Sequence, residues 1–212
     1  VALGLIGMSG IGKTAWAERL AAAGHGCLHC DDLIARRLRR RFAIGSPSLA
    51  GVGAWMGMPH DPHYAERAAA YLAAECAVMR AIAAMLARRP EAGRGLVVDL
   101  TGSAVYVDPV TLRALRETTT IVYLEADTAR QERLLAAYLA QPRPLIWGGA
   151  FQTEPGEPPE AAVARSYPRL LARRAALYDR LSHVRVPVSV HLDPNLSVAD
   201  FLHYVEARAR AH

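Results

Sequence analysis

Of the 25 Lys and Arg residues in this 212-residue chain, only Lys13 is a lysine. Arg covers surfaces and pairs with carboxylates as well as Lys does, so a single retained Lys marks a place that needs a compact, flexible ammonium. Lys13 lies in Gly7-Met8-Ser9-Gly10-Ile11-Gly12-Lys13-Thr14, which satisfies the pattern Gly, four residues, Gly, Lys, then Ser or Thr. In such a loop the glycines let backbone N–H groups curl around phosphate oxygens at a helix N-terminus. The ammonium reaches the terminal phosphates and the hydroxyl ligates magnesium. The residues expected to hold a nucleotide are therefore Gly7, Ser9, Gly10, Ile11, Gly12, Lys13, Thr14 and Ala15. Leu96-Val97-Val98-Asp99 is an apolar run ending in a carboxylate, which suits magnesium held through water or against the loop Thr. Thr14 and Asp99 are thus the metal candidates, although Asp99 also reads as a residue that starts a turn. His25-x-Cys27-x-His29-Cys30 has zinc-ligand residue types. On a strand, however, Cys27, His29 and Asp31 share one face and Cys30 takes the other, so a strand lining a binding site is the expectation.

The elements that must position these groups follow from periodicity and caps. Val1 to Ile6 is a short apolar strand, and Lys13 to Ala23 a helix stopped at Gly24. Gly26 to Cys30 reads as a second strand, Asp31 to Arg41 as a helix, and Phe42 to Pro62, rich in Gly, Pro, Met and Ser, as a mobile connector. Asp61-Pro62 offers an N-cap and a first-turn Pro for a long helix to Arg88. Gly95 to Leu100 is a buried strand, Asp108-Pro109 opens a helix, and Thr119 to Leu124 is another strand. Asp127 caps a helix to Ala140. Gln141 to Pro159, with five Pro and three Gly, is too broken to be regular. A helix Pro159 to Leu181, a strand Val184 to Val190 and a helix opened by the capping box Ser197 to Asp200 complete the chain. Short apolar strands alternating with helices predict an α/β fold with a parallel sheet covered on both faces, in a single domain spanning 1–212.

Composition narrows the setting. With 52% hydrophobic and 21% charged residues the chain has ample core, which excludes disorder, collagen and a disulfide miniprotein. Three cysteines make no staple framework, so a reducing, cytoplasmic setting with free thiols is expected. The Ala-rich stretch Ala68 to Ala87 carries Glu75 and Arg80, which argues against a membrane span. No signal-peptide pattern is visible, and a start at Val1 reads as trimmed or processed. Arg36, Arg37, Arg39, Arg40 and Arg41 form a basic run without interleaved aromatics, which favours a solvated helix or a funnel for anionic substrates over nucleic acid.

Taken in order, the motifs resemble the shikimate kinase family, within the nucleoside monophosphate kinase-like group, over most of the chain. The phosphate loop is followed by CLHCDD with Asp31. Asp99 leads into Thr101-Gly102-Ser103-Ala104-Val105, similar to the family's Gly-Gly-Gly turn. Then come IVYLEAD, the lid signature Arg143-Pro144-Leu145, and Arg174-Ala175-Ala176-Leu177-Tyr178, similar to Arg-x-x-Leu-Tyr. The resemblance implies a three-layer sandwich with a five-stranded parallel sheet, an acceptor-side connector at 42–62 and a lid at 141–159. It implies ATP and Mg2+ as cofactors and transfer of the γ-phosphoryl group to a hydroxyl of a polar, anionic metabolite. By position, Asp31 would contact that hydroxyl, Arg143 would close on the transferring phosphates, Arg133 would stack on adenine, and Arg174 and Gly102 would meet the acceptor. For each of these arginines a solvated helix face is the competing reading.

The departures from the pattern are concentrated on the acceptor side. His29 stands where the family has its first Asp after the second strand, and Thr101-Gly102-Ser103 replaces the triple glycine. A second carboxylate-binding Arg is replaced by Leu72, with Tyr71 beside it and Glu75 after it, and Arg67 is a candidate substitute from a neighbouring turn. The Tyr71, Leu72 and Glu75 face would suit a ligand less anionic at that end, and Glu75 also reads as a structural partner for an arginine. Shikimate is therefore expected to be a poor acceptor. An antibiotic or nucleoside phosphotransferase on the same scaffold, and a nucleotide-binding regulatory protein without transfer chemistry, remain open alternatives. The expected partner is a small-molecule phosphoryl acceptor, with no nucleic acid and no membrane, for a monomer or homodimer.

Overall fold

A computed structural model describes residues 2–46, 48–88, 91, 95–141 and 143–210. Val1 of the first expected strand, Pro47 of the connector and Pro142 of the lid lie outside the described residues. The chain runs β1 (Ala2–Ile6), α1 (Lys13–Ala22), β2 (Gly26–His29), α2 (Cys30–Arg39), α3 (Leu49–Met56), α4 (Tyr64–Arg88) and β3 (Leu96–Asp99). A 3-10 turn (Ala104–Tyr106) leads into α5 (Pro109–Thr118), β4 (Thr119–Leu124), α6 (Thr128–Ala140), α7 (Pro159–Leu181), β5 (Val184–Val186), α8 (Val188–His191) and α9 (Val198–Ala209). The strands form one parallel sheet in the order β2-β3-β1-β4-β5. Consecutive strand residues such as Gly4, Leu5 and Ile6, or Ile121 to Leu124, are buried, so helices cover both faces and the fold is a three-layer α/β sandwich.

Register determines what meets at the carboxyl end of the sheet. Leu5 lies beside Asp99 and Val122, and Asp99 lies beside His29. The loop after β1, the start of α2 and the turn after β3 therefore open side by side, where parallel α/β sheets bind ligands.

Four expectations are corrected. The connector contains α3, capped by the Ser48 hydroxyl on the Gly51 N–H, with Val52 and Met56 in the core. Asp61 does not cap α4: its Oδ2 accepts the Met58 N–H at 2.5 Å, closing a turn three residues before the helix begins. The apolar run Val184 to Val190 is strand only to Val186, because Pro187 cannot donate to a ladder and instead stands before α8. The strand expected over Gly26 to Cys30 ends at His29, because Cys30 already begins α2; Asp31 is helical as expected, and so does not share a strand face with Cys27 and His29. By length and composition α4 passes for a membrane span, but here it buries Tyr71, Val78, Met79, Ile82 and Leu86 in the core. The three cysteines are free.

Candidate active site

The loop after β1 is bent by glycines. At Gly7 φ is +148°, and a Cβ there would sit 2.7 Å from the Leu124 carbonyl, so no side chain fits. Lys13, the first residue of α1, folds back so that Nζ donates to the Gly7 and Met8 carbonyls, each at 3.0 Å. Burial lowers its pKa, the neighbouring Asp99 and Asp31 carboxylates oppose that shift, and Arg174 and Arg143 add to it. The ammonium is thus held at the mouth of the loop among both acidic and basic groups.

Thr14 Oγ1 donates to Asp99 Oδ2 at 2.8 Å. A hydroxyl and a carboxylate joined at the loop are the hard oxygen donors that suit Mg2+, which keeps waters and binds phosphate besides, so these two residues fit the ion. The same Asp99 oxygen meets His29 Nδ1 at 3.1 Å, and Cys27 Sγ lies 3.4 Å from His29 Nε2. Among the described residues no three of His, Cys, Asp and Glu converge as a metal-holding group.

Asp31 lies within the electrostatic reach of Lys13 and Asp99 and accepts a hydrogen bond from Tyr71 at 3.2 Å. Burial raises its pKa, Lys13 lowers it and Asp99 raises it further, while the Tyr71 hydroxyl favours the ionised form. Tyr71 and Glu75 are one turn apart on α4 and share a face. Glu75 is fully buried and finds no arginine partner: Oε1 accepts from the Thr101 and Ser103 hydroxyls, the latter at 2.7 Å. Burial pushes Glu75 up to about 7 in spite of these two donors. A carboxyl raised in the fold binds protons that the unfolded chain has released, so its ionisation destabilises the protein progressively from about pH 4.5 to 7, by roughly 3 kcal/mol in all. Glu75→Gln, which keeps both hydroxyl contacts, is therefore expected to gain on the wild type by about this amount between pH 5 and pH 8. Urea melts at the two pH values would measure the gain, and an unchanged difference would contradict it.

The remaining expected residues are distributed as follows. Arg143 is exposed on a cleft of about 280 Å³ shared with Ser9, Gly10, Arg130, Arg133 and Tyr138. Arg130 was not singled out in the sequence, yet its guanidinium donates to the Gly10 carbonyl at 3.1 Å, and the spacing Arg130, Arg133 on α6 puts both on one face. Arg67 is engaged elsewhere: NH1 donates to the Trp55 carbonyl at 2.5 Å and the guanidinium stacks over the Trp55 ring. Leu72 packs against the core. Gly102 has Arg174 NH1 and Ser9 N at 3.1 and 3.3 Å from where a Cβ would stand, so a side chain there would have to push these groups back by a few tenths of an ångström. Arg174 itself is 1% exposed, donating to the Ile146 carbonyl at 2.6 Å.

The expected lid is irregular, but it is packed. Leu145, Ile146, Trp147 and Ala150 are buried, and Trp147 sits among Tyr138, Phe151 and Tyr167. Tyr64, at the start of α4, latches this segment by donating to the Leu145 carbonyl at 2.7 Å and accepting the Trp147 N–H at 3.2 Å. Tyr64→Phe removes both contacts and is expected to speed amide exchange at 145–147 by about tenfold. Unchanged exchange by mass spectrometry would show that the aromatic packing alone holds the segment.

A glycine loop closing on its lysine, ahead of a sheet ordered 2-3-1-4-5 with an Asp on the neighbouring strand, defines the P-loop kinase class of α/β folds. Solved structures make this more particular: the fold is that of shikimate kinases. A shikimate kinase from Acinetobacter baumannii in complex with shikimate matches with a TM-score of 0.59 and 19% identity, covering 99% of this chain and 91% of that one. The enzyme from Bacteroides thetaiotaomicron matches at 0.54 and 15% identity, covering 100% and 95%. That from Aquifex aeolicus matches at 0.60 and 14% identity, covering 100% of both chains. No protein-family model and no curated relative matches the sequence.

Proposed function

We propose that this chain is an ATP- and Mg2+-dependent small-molecule kinase that transfers the γ-phosphoryl group to a hydroxyl of a polar metabolite. The observation that carries this reading is the convergence of Lys13, the Thr14–Asp99 pair and Asp31 at one end of the sheet. The loop N–H groups and Lys13 hold the β- and γ-phosphates, and Thr14 with Asp99 holds the ion, whose charge offsets that of the phosphates when bound. Asp31 orients the acceptor O–H and takes its proton as the new O–P bond forms and the bond from Pγ to the β–γ bridging oxygen breaks, releasing ADP. Arg143, Arg130 and Arg133 line the cleft next to the loop tip, where positive charge favours the phosphoryl group in flight. The buried segment around Trp147 keeps water from competing with the acceptor.

Shikimate is a poor acceptor on this reading, since Leu72 and an engaged Arg67 leave no second arginine fork for its carboxylate. The test is ADP release across hydroxy acids, cyclitols, sugars, nucleosides and aminocyclitol antibiotics. Acceptor-dependent release that disappears in Lys13→Ala supports a kinase. ATP binding without transfer to any acceptor class would instead support a nucleotide-binding regulator.

A further inference from the structure

Cys27 and His29 stand two residues apart on the edge strand β2 and therefore share a face of the sheet, the one that α1 covers. His29 Nδ1 lies 3.1 Å from Asp99 Oδ2. An ionised carboxylate only accepts, so Nδ1 carries the hydrogen and Nε2 is left with its lone pair. Cys27 Sγ lies 3.4 Å from that Nε2. A sulfur and a nitrogen bound to one tetrahedral zinc ion at ordinary bond lengths stand about 3.5 Å apart, so this pair is already at ligand spacing. A carboxylate behind the imidazole is also how metal-binding histidines are oriented. Of the other zinc-ligand types in this stretch, Cys30 is buried in the core and His25 lies beside Gly95 at the opposite end of the strand.

The surroundings of the pair are negative. Glu18 lies one turn beyond Thr14 on α1, is exposed, and has no ion-pair partner among the described residues. Both Asp99 and Glu18 act electrostatically on the Cys27 sulfur. The His29 side chain is 32% exposed and Cys27 is half-buried, which leaves an ion a way in from solvent. We propose that Cys27, His29 and Glu18 form a second metal site, for a borderline ion of the Zn2+ class, beside the Thr14–Asp99 pair and joined to it through Asp99. Only the first two ligands are preset, which is why no three such side chains converge; Glu18 joins by a change of rotamer, and water fills the fourth position. On binding, the ion bonds to Sγ and Nε2, and the thiol proton passes to the buffer. Thiolate and imidazole disfavour Mg2+, which keeps to oxygen donors, so the two neighbouring sites select different ions. The assignment does not depend on the kinase reading.

The test is titration of the reduced, untagged full chain with Co2+, a spectroscopic substitute for Zn2+, in the absence of nucleotide. The expected result is a single bound Co2+ with a thiolate-to-cobalt charge-transfer band that Zn2+ displaces. Cys27→Ser is expected to abolish the band, and His29→Gln to weaken binding by about tenfold or more. Cys76→Ser, which changes a thiol on α4, is expected to leave both as they are. In the wild type, Zn2+ is expected to slow alkylation of Cys27, read by mass spectrometry on its peptide, so the result does not hang on a variant that folds. Alkylation at the same rate with and without Zn2+ would overturn the site, as would Co2+ bound without the thiolate band or a band that survives Cys27→Ser. Unchanged Zn2+ affinity in Glu18→Gln would overturn its place as the third ligand. Loss of the band on adding about a hundredfold excess of Mg2+ would overturn the separation of the two sites.

Discussion

Lys13→Ala is expected to lower turnover by about a thousandfold and to weaken ATP more than ADP. Lys13 Nζ is the only lysine ammonium in the chain, and it is held at 3.0 Å from the Gly7 and Met8 carbonyls at the loop mouth. On the proposed reading alanine removes the point charge that would meet the phosphates, and the planar guanidinium of an arginine does not reproduce that compact ammonium. Calorimetry with ATP and ADP, together with ADP release on a turned-over acceptor, reads both effects. Equal affinity and activity in wild type and variant would remove the phosphate loop from the mechanism.

Asp31→Asn is expected to reduce turnover by about a hundredfold to ten-thousandfold while leaving ATP affinity unchanged. The carboxylate accepts from Tyr71, so on the proposed mechanism its loss would act on the acceptor hydroxyl and not on nucleotide binding. Asparagine keeps the shape and a hydrogen-bonding oxygen but cannot take a proton at neutral pH. Turnover surviving the substitution would move the hydroxyl-orienting role to Asp32, the exposed neighbour in the same turn of α2.

Much of the frame was legible because local chemistry dictates it. Asp108 and Asp127 cap α5 and α6 by accepting the Thr111 and Arg130 N–H groups, and Ser197 and Asp200 close the box that opens α9. What failed locally was short or ambiguous. Leu49–Met56 is an eight-residue helix whose two glycines and flanking Pro and Ser content resemble a loop, and only the burial of Val52 and Met56 shows why it forms. The apolar run ending in Val188 and Val190 mimics a strand until Pro187 is given its due. The site was legible where a motif is contiguous, as in Gly7 to Thr14. It was not legible where contacts span the chain: Glu75 with Thr101 and Ser103, Tyr64 with residues 145 and 147, and Arg174 with Ile146. No residue type or spacing announces that an arginine will be buried without a carboxylate, because the cost or use of that charge depends on which distant elements pack around it.

A protein whose single lysine is also its loop lysine offers a chemical reporter of its own state. Reductive alkylation or an activated ester has one internal amine to modify, besides the α-amine of the chain. Burial lowers the Lys13 pKa and so raises its neutral, nucleophilic fraction, but the two carbonyls that hold Nζ must first let it go. A single mass increment on the peptide carrying Lys13, growing with time, then clocks how often the loop releases its side chain. If nucleotide seats on the loop as proposed, its suppression of this labelling is an occupancy assay that requires no acceptor.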